Sequence, residues 1–233
     1  MPSKVPKKIA IILDGNRRFA RKLGLQPWQG HEFGLRKLEE LFKWCMELGI
    51  KELTLYCFST ENFQRAKNEI SYLFGLFWKE FRKVQESKTI YKNKIKVKVI
   101  GRIGMFSQKM QKAMKEAMQK TNKNKELVVN FAMAYGGRQE ITDAVKEIAK
   151  LVKGGKISPA SINENMITNN LYLKSEPDLV IRPSGEKRIS NFLIWQSAYS
   201  ELIFINKLWP EFTKRDLIKC MEEYKKRERR FGR

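Results

Sequence analysis

Six short runs rich in β-branched and aromatic residues recur along the chain, with segments of helical periodicity among them. This alternation limits the possible folds more than any other feature. The runs are KIAIIL (8–13), ELTLYCF (52–58), IKVKVIG (95–101), ELVVNFAMAY (126–135), DLVIR (178–182) and ELIFI (201–205). The cleanest helical segment spans roughly 67 to 88, where Ile70, Leu73, Phe74, Phe77, Phe81 and Val84 mark one face. SQKMQKAMKEAMQK follows the third run and RQEITDAVKEIAKLV the fourth. Such a chain predicts an α/β fold: a mostly parallel central sheet of about six strands flanked by helices. KGGKISPAS (153–161) reads as a surface loop leading into a short helix, and no repeat or low-complexity linker divides the chain. At 233 residues one well-filled core suffices, so residues 1–233 are read as a single domain.

In open parallel sheets ligands bind beyond the carboxyl ends of the strands. Asp14, Gly15, Asn16, Arg17 and Arg18 follow the first run, STENFQR (59–65) the second, and RPSGEKRIS (182–190) the fifth. These three polar loops are therefore expected on one rim. Glu201 stands at the start of its strand, and the rim rule does not place it.

The chemistry of the loops suits a phosphorylated ligand. Gly15 permits close backbone approach, Arg17 and Arg18 offer bidentate grips, and Asp14 offers an oxygen to a magnesium ion shared with phosphate. The same residues would also serve as a helix cap with solvated arginines. Arg182 and Arg188 flank a Ser-Gly turn with Ser190 as a further donor, an anion cradle or simply a surface turn. Ser59, Asn62 and Arg65 lie among Phe58 and Phe63, a mixture suited to a charged head on a greasy body. His31, the single histidine, sits in the glycine-flanked QGHEFG, where a structural and a ligand-facing role are both open.

Composition narrows the function classes. Lys and Arg total 47 against 25 Asp and Glu, a formal charge of +22, which attracts polyanions, phosphorylated small molecules or an anionic membrane face. The basic residues are dispersed and no RNA-binding aromatic motif occurs, so nucleic acid is not the expected partner. Three separated cysteines, Cys45, Cys57 and Cys220, form no C-x-x-C pair and read as reduced core residues of a cytoplasmic protein. No secretory signal and no stretch near the roughly 20 apolar residues of a membrane span is visible, which leaves peripheral association with a membrane face open. Phosphate-loop, dinucleotide and G-x-S-x-G motifs are missing from the sequence, as are the paired aspartate-rich helices of trans-type prenyl synthases.

DGNRRFA, the GH at 30–31, LTLYCFSTENFQR, NFAMAYGGRQEI, DLVIRPSGEKRISNFLIWQ, SELIF and LWPEF occur in the order and spacing of the cis-prenyltransferases. The chain resembles that family, the undecaprenyl- and dehydrodolichyl-diphosphate synthases, from about residue 7 to the C-terminal RERRFG. The resemblance implies repeated cis addition of isopentenyl diphosphate to an allylic diphosphate starter, farnesyl or geranylgeranyl diphosphate. The product would be a medium-to-long polyprenyl diphosphate, a glycosyl-carrier lipid precursor. It implies Mg2+ held by Asp14 and Glu201, and an allylic diphosphate held by Gly15, Asn16, Arg17, Arg18 and Phe19 with His31 nearby. Ser59, Thr60, Glu61, Asn62, Phe63 and Arg65 match a second substrate loop, in which Asn62 either removes the proton or orients substrate while a diphosphate oxygen takes it. Arg182, Arg188, Ile189 and Ser190 match the isopentenyl diphosphate site. Arg230 and Gly232 match an Arg-x-Gly motif that reaches across a homodimer interface.

DGNRRFA and STENFQRA lean toward the archaeal and eukaryotic variants, because bacterial members commonly carry Gly-Arg-Trp at 17–19, Trp at 63 and Pro at 66. A growing apolar chain must be hidden from water, at about 0.8 kcal/mol per buried methylene. The phenylalanine-rich face of 70–84 is accordingly a candidate wall of a hydrophobic tunnel as well as a core face. Retention of Asp14, Arg182 and Arg188 favours a self-sufficient homodimer over a non-catalytic partner subunit.

Overall fold

The computed structural model describes residues 5–227. Arg230 and Gly232, expected at a subunit interface, lie outside the described residues. The six expected runs form the strands β1 (Lys8–Ile12), β2 (Glu52–Ser59), β3 (Ile95–Ile100), β4 (Leu127–Tyr135), β5 (Leu179–Pro183) and β6 (Glu201–Ile205). They make one sheet in the order β3-β4-β2-β1-β5-β6, with every pairing parallel. The central strands are nearly continuous apolar runs because both faces are covered. In β1, Ile9 and Ile11 point into one core, while Ala10 and Ile12 point into another. The edge strand β3 carries Lys96 and Lys98, and charge on a free edge discourages pairing with another chain.

Helices α1 (Asn16–Lys22), α2 (Gly30–Glu47), α3 (Lys67–Val84), α4 (Lys88–Lys92), α5 (Gln108–Lys120), α6 (Gly137–Lys153), α7 (Glu164–Asn170) and α8 (Lys214–Lys226) complete the order. α2 and α8 bury Leu38, Leu41, Phe42, Leu217 and Met221 on the Ile9/Ile11 face. The phenylalanine face of the expected 67–88 helix is real, although the helix ends at Val84. Leu73, Phe77 and Phe81 pack with Met110, Ala113 and Met114 of α5. The three cysteines are free, and burial pushes the Cys57 and Cys220 thiols up to about 12. Among the described residues no helix is long and apolar enough to cross a membrane.

Strand order decides where a ligand can sit. After β4 the chain crosses over β2 and β1 to place β5 on the far side of β1, so the direction of winding reverses between β1 and β5. A crevice opens beyond the carboxyl ends of the strands at such a point. Two tight packings hold the first loop there. Trp209, fully buried, donates its backbone N–H to the Asp14 carbonyl at 2.9 Å and its indole N–H to the Gly34 carbonyl at 3.0 Å. Gly30 lies so close beneath α1 that a Cβ there would meet the Asn16 carbonyl oxygen at 2.0 Å.

That closeness makes a stability prediction. Gly30→Ala should cost about 1–3 kcal/mol, because backbone on both sides must move to admit one methyl group. A lower urea midpoint at unchanged slope is the expected reading, and an unshifted midpoint would contradict this packing.

Candidate active site

The crevice at the β1/β5 reversal is a cleft of about 340 Å³. It gathers Asp14, Gly15, Asn16, Arg17, Arg18, His31, Arg65 and Arg188, all expected from sequence, together with Leu13, Arg21 and Glu186. Gly15 adopts φ 101°, a left-handed conformation open to glycine, and turns the chain from β1 into α1. A Cβ there would also meet the Leu208 side chain at 2.9 Å, so LWPEF supports the loop from below.

Asp14 is the hub. Its Oδ2 accepts from Arg182 Nη2 at 2.7 Å, Arg182 Nε at 3.3 Å and Ser184 Oγ at 2.8 Å. Its Oδ1 accepts from the Gly15 N–H at 2.7 Å and lies 3.8 Å from Arg18 Nη2. Burial alone would raise the Asp14 carboxyl. The hydrogen bonds from Arg182 and Ser184, the Arg182 charge and the Gly15 N–H outweigh it and hold the group below the usual carboxylate range. Arg182 is buried and also donates to Ser190 Oγ at 2.8 Å and to the Arg188 carbonyl. Ile189 sits in the same turn, its carbonyl accepting from the Phe192 N–H at 3.0 Å. Arg188 itself is exposed and pairs with Glu186, which also lies 3.4 Å from Arg18.

On the opposite wall, buried Glu69 accepts from Arg65 Nη1 at 3.1 Å and faces Arg17 Nη2 at 3.7 Å. It anchors two cleft arginines, and its one signal in sequence is the four-residue helical spacing from Arg65. His31 lines the same cleft as these cations, with a buried Nε2 that has no hydrogen-bond partner among the described residues. Burial, then the charges of Arg65 and Arg17, lower its pKa from 6.5 to about 3, so the imidazole is neutral at working pH. Thr60 Oγ1 and Asn16 Oδ1 are likewise buried without partners.

The second loop is a single 3-10 turn, Thr60–Gln64, entered through Ser59. Ser59 and Asn62 cap each other's backbone, and Asn62 Oδ1 accepts the Ser59 N–H at 3.1 Å. Glu61 accepts from Asn191 Nδ2 at 3.0 Å. Phe63 packs edge-on against Phe58 at 5.0 Å and Phe74 at 5.8 Å, which starts an apolar wall beside the polar cleft. Phe19 turns instead onto Phe33 of α2 at 5.2 Å.

A mostly apolar cavity of about 440 Å³ lies next to this wall, lined by Leu35, Leu38 and Phe42 of α2 and Phe77, Phe81 and Val84 of α3, with charged side chains such as Arg36 and Lys79 also on its lining. Helix α2 thus serves both environments, with His31 in the cleft and Leu35 one turn further along in the cavity.

Glu201 is a correction. It begins β6 opposite Leu179, at the amino edge of the sheet, while Asp14 follows the carboxyl edge of β1. There it pairs with Arg227 at 2.8 Å, so this chain does not bring it to Asp14. The donor set for a cation in the cleft is then one principal carboxylate among arginines. That fits Mg2+, which is commonly held by one or two carboxylates with substrate phosphates and water supplying the rest.

The neutral His31 makes a sign-definite prediction. Its folded pKa lies below the unfolded value, so the unfolded chain binds the extra proton. The associated stability is intact above about pH 6.5 and is lost as pH falls toward the folded value. Between about pH 6 and pH 4 the unfolding free energy of the parent should fall relative to His31→Gln by at most about 1.4 kcal/mol per unit. Parallel pH profiles in urea titrations would contradict it.

Comparison with known proteins agrees with this geometry. A family model described as "Putative undecaprenyl diphosphate synthase" matches residues 12–232. The chain is 48% identical over 232 residues to the tritrans,polycis-undecaprenyl-diphosphate synthase (geranylgeranyl-diphosphate specific) of Methanopyrus kandleri, covering 99% of this chain and 86% of the relative. The protein of the same description from Thermococcus kodakarensis is 49% identical, covering 98% and 88%. The crystal structure of lavandulyl diphosphate synthase from Lavandula x intermedia, in complex with dimethylallyl diphosphate, superposes with a TM-score of 0.94 at 33% identity over 99% of both chains. An arginine-lined crevice at the sheet's reversal point and this match along almost the whole chain together place the protein in the undecaprenyl diphosphate synthase family of cis-prenyltransferases.

Proposed function

We propose that the chain extends geranylgeranyl diphosphate with successive isopentenyl diphosphate units to a polyprenyl diphosphate, a precursor of a glycosyl-carrier lipid. One observation carries this reading: a cationic cleft and an apolar cavity share the helix α2, so a diphosphate head and a hydrocarbon tail find their environments side by side. Geranylgeranyl diphosphate is preferred over farnesyl diphosphate because both archaeal relatives carry that starter in their names.

In the proposed arrangement Arg17, Arg18 and Arg65 grip the allylic diphosphate, with Glu69 holding two of them in place. Arg188 and Ser190 take the isopentenyl diphosphate beside Arg182, which Asp14 orients. His31, being neutral, meets a phosphate oxygen with a hydrogen bond rather than a charge. Mg2+ would be held by Asp14 and would stabilise the departing diphosphate as a Lewis acid. The arginines act in the same sense, since donors fixed beforehand toward developing negative charge lower the barrier at no cost in reorganisation. The Asn62 amide oxygen is already engaged by the Ser59 N–H, which supports an orienting role for its NH2 and leaves the proton to a diphosphate oxygen. The Phe63 and Phe74 wall keeps water from the allylic centre and leads toward the cavity. A homodimer working against a cytoplasmic membrane face remains part of the proposal.

The test is direct. Labelled isopentenyl diphosphate, Mg2+ and each starter are incubated with the protein, and the extracted lipids are sized. Geranylgeranyl diphosphate should give long polyprenyl products, and Asp14→Asn should lower the rate by about 10²–10³-fold, because charge-oriented donors are lost from the transition state. An Asp14→Asn protein as fast as the parent at saturating Mg2+ would refute the assignment.

A further inference from the structure

Asn191 lies one residue beyond Ser190 and is absent from every role assigned above, yet its side chain is fully committed. Nδ2 donates to Glu61 Oε1 at 3.0 Å and to Gln139 Oε1 at 3.0 Å. Oδ1 accepts the Arg138 N–H at 2.9 Å, and the Asn191 carbonyl accepts the Gly137 N–H at 2.7 Å. Three segments distant in sequence therefore meet on one amide: the turn carrying Asn62, the loop carrying Arg188 and Ser190, and the first turn of α6.

The contact is tightly fitted. A Cβ on Gly136 would meet Asn191 Nδ2 at 2.7 Å, and one on Gly137 would meet Ile194 Cγ1 at 2.8 Å. Ser190, Asn191 and Leu193 all adopt positive φ, at 49°, 63° and 45°. Such a backbone persists only where the surroundings fix it. Tyr56 helps: its hydroxyl donates to the Ser190 carbonyl at 3.3 Å, and its ring stacks on Phe192 at 4.5 Å. Tyr56 stands on β2, which ends in the Asn62 turn, so it holds the same two segments from beneath.

We infer that Asn191 is a positioning residue whose amide sets the separation between the Asn62 turn and the Arg188–Ser190 loop. It thereby aligns the two substrates for bond formation. Its NH2 is the donor between two acceptor oxygens, and without it the Glu61 carboxylate keeps only partners within its own turn, so the bonds tying that turn to Asn191 and Gln139 are lost. The inference rests on the proposed assignment of those loops to the two diphosphate substrates.

Two substitutions separate side-chain bridging from backbone conformation. Asn191→Gly keeps the positive φ and deletes the bridge. Asn191→Asp also tolerates that φ and keeps an acceptor for the Arg138 N–H, but it turns an oxygen toward Glu61. The glycine variant should raise the KM for isopentenyl diphosphate and lower kcat, each about tenfold, as expected for loss of hydrogen bonds to a charged group. The aspartate variant should lose more, and the loss it causes should be much smaller in a Glu61→Gln background, measured against Glu61→Gln alone, because donor and acceptor are then reversed. Hydrogen exchange over residues 59–65 should be faster in Asn191→Asp than in the parent. An Asn191→Asp protein within about twofold of the parent in both constants would overturn the inference, given that two acceptors would then face each other at no cost. An Asn191→Asp loss as large in the Glu61→Gln background as in the parent, or unchanged exchange over 59–65, would overturn it equally. A parent that makes no polyprenyl product would sink the functional reading alone, because the exchange measurement would still decide the role of Asn191.

Discussion

The ion pair between Asp14 and Arg182 sits where the sheet reverses its winding, and the cleft is organised around it. Arg182 leaves the end of β5 almost fully buried, and a guanidinium removed from water needs partners for its charge and its hydrogen atoms. Asp14 supplies the charge, and the Ser190 hydroxyl and the Arg188 carbonyl take the remaining donors. Removing either member would strand a charge in a poorly solvated place, which is far more damaging than replacing both. The pair therefore ties the β1 loop to the β5 loop, and the Trp209 backbone secures the other side of Asp14. Placing this polar knot at the carboxyl rim costs the core little, since the strands below it bury mostly apolar side chains, with Thr54 and Asn130 hydrogen-bonded to each other.

The charge of the chain acquires meaning only through this arrangement. An excess of 22 positive charges attracts any polyanion, but within the cleft Arg17, Arg18, Arg65 and Arg188 are held by Asp14, Glu69 and Glu186. Counter-ions of this kind keep the guanidiniums aimed inward while leaving donors for an incoming diphosphate. The neutral imidazole of His31 follows first from its burial and then from the same field, because the Arg65 and Arg17 charges make a further proton unfavourable. A few ångströms of helix separate this environment from an apolar cavity, and the contrast between them selects an amphiphilic substrate.

Most of the fold could be read along the chain. Runs with apolar centres such as KIAIIL and DLVIR announced buried strands, and the spacing of Leu73, Phe77 and Phe81 announced a helix against a core. The boundary at Val84 was less legible, since the residues after it keep helical composition while Ser87 caps a separate short helix. Of the site, the residues that carry obvious charge were visible: Asp14, Arg17, Arg18, Arg65, Arg182 and Arg188. Glu69 hid in the surface pattern of a helix, and Ser184, Arg21 and Asn191 carry no local signal of their roles. Glu201 shows the opposite failure: it matched a family position, but within this chain it faces away from the cleft and pairs with Arg227.

Local periodicity and turn chemistry, written in neighbouring residues, determined the elements, their order and the polar loops that end the strands. Those signals depend on interactions within a few residues, so one chain suffices to reveal them. Strand order was decided only by tertiary structure, because it reflects which apolar faces pack together across the whole molecule. That order brought Asp14 and Arg182, 168 residues apart, within 2.7 Å. It also gathered Glu61, Gln139 and Asn191 onto a single amide, a meeting of three segments that no local pattern encodes.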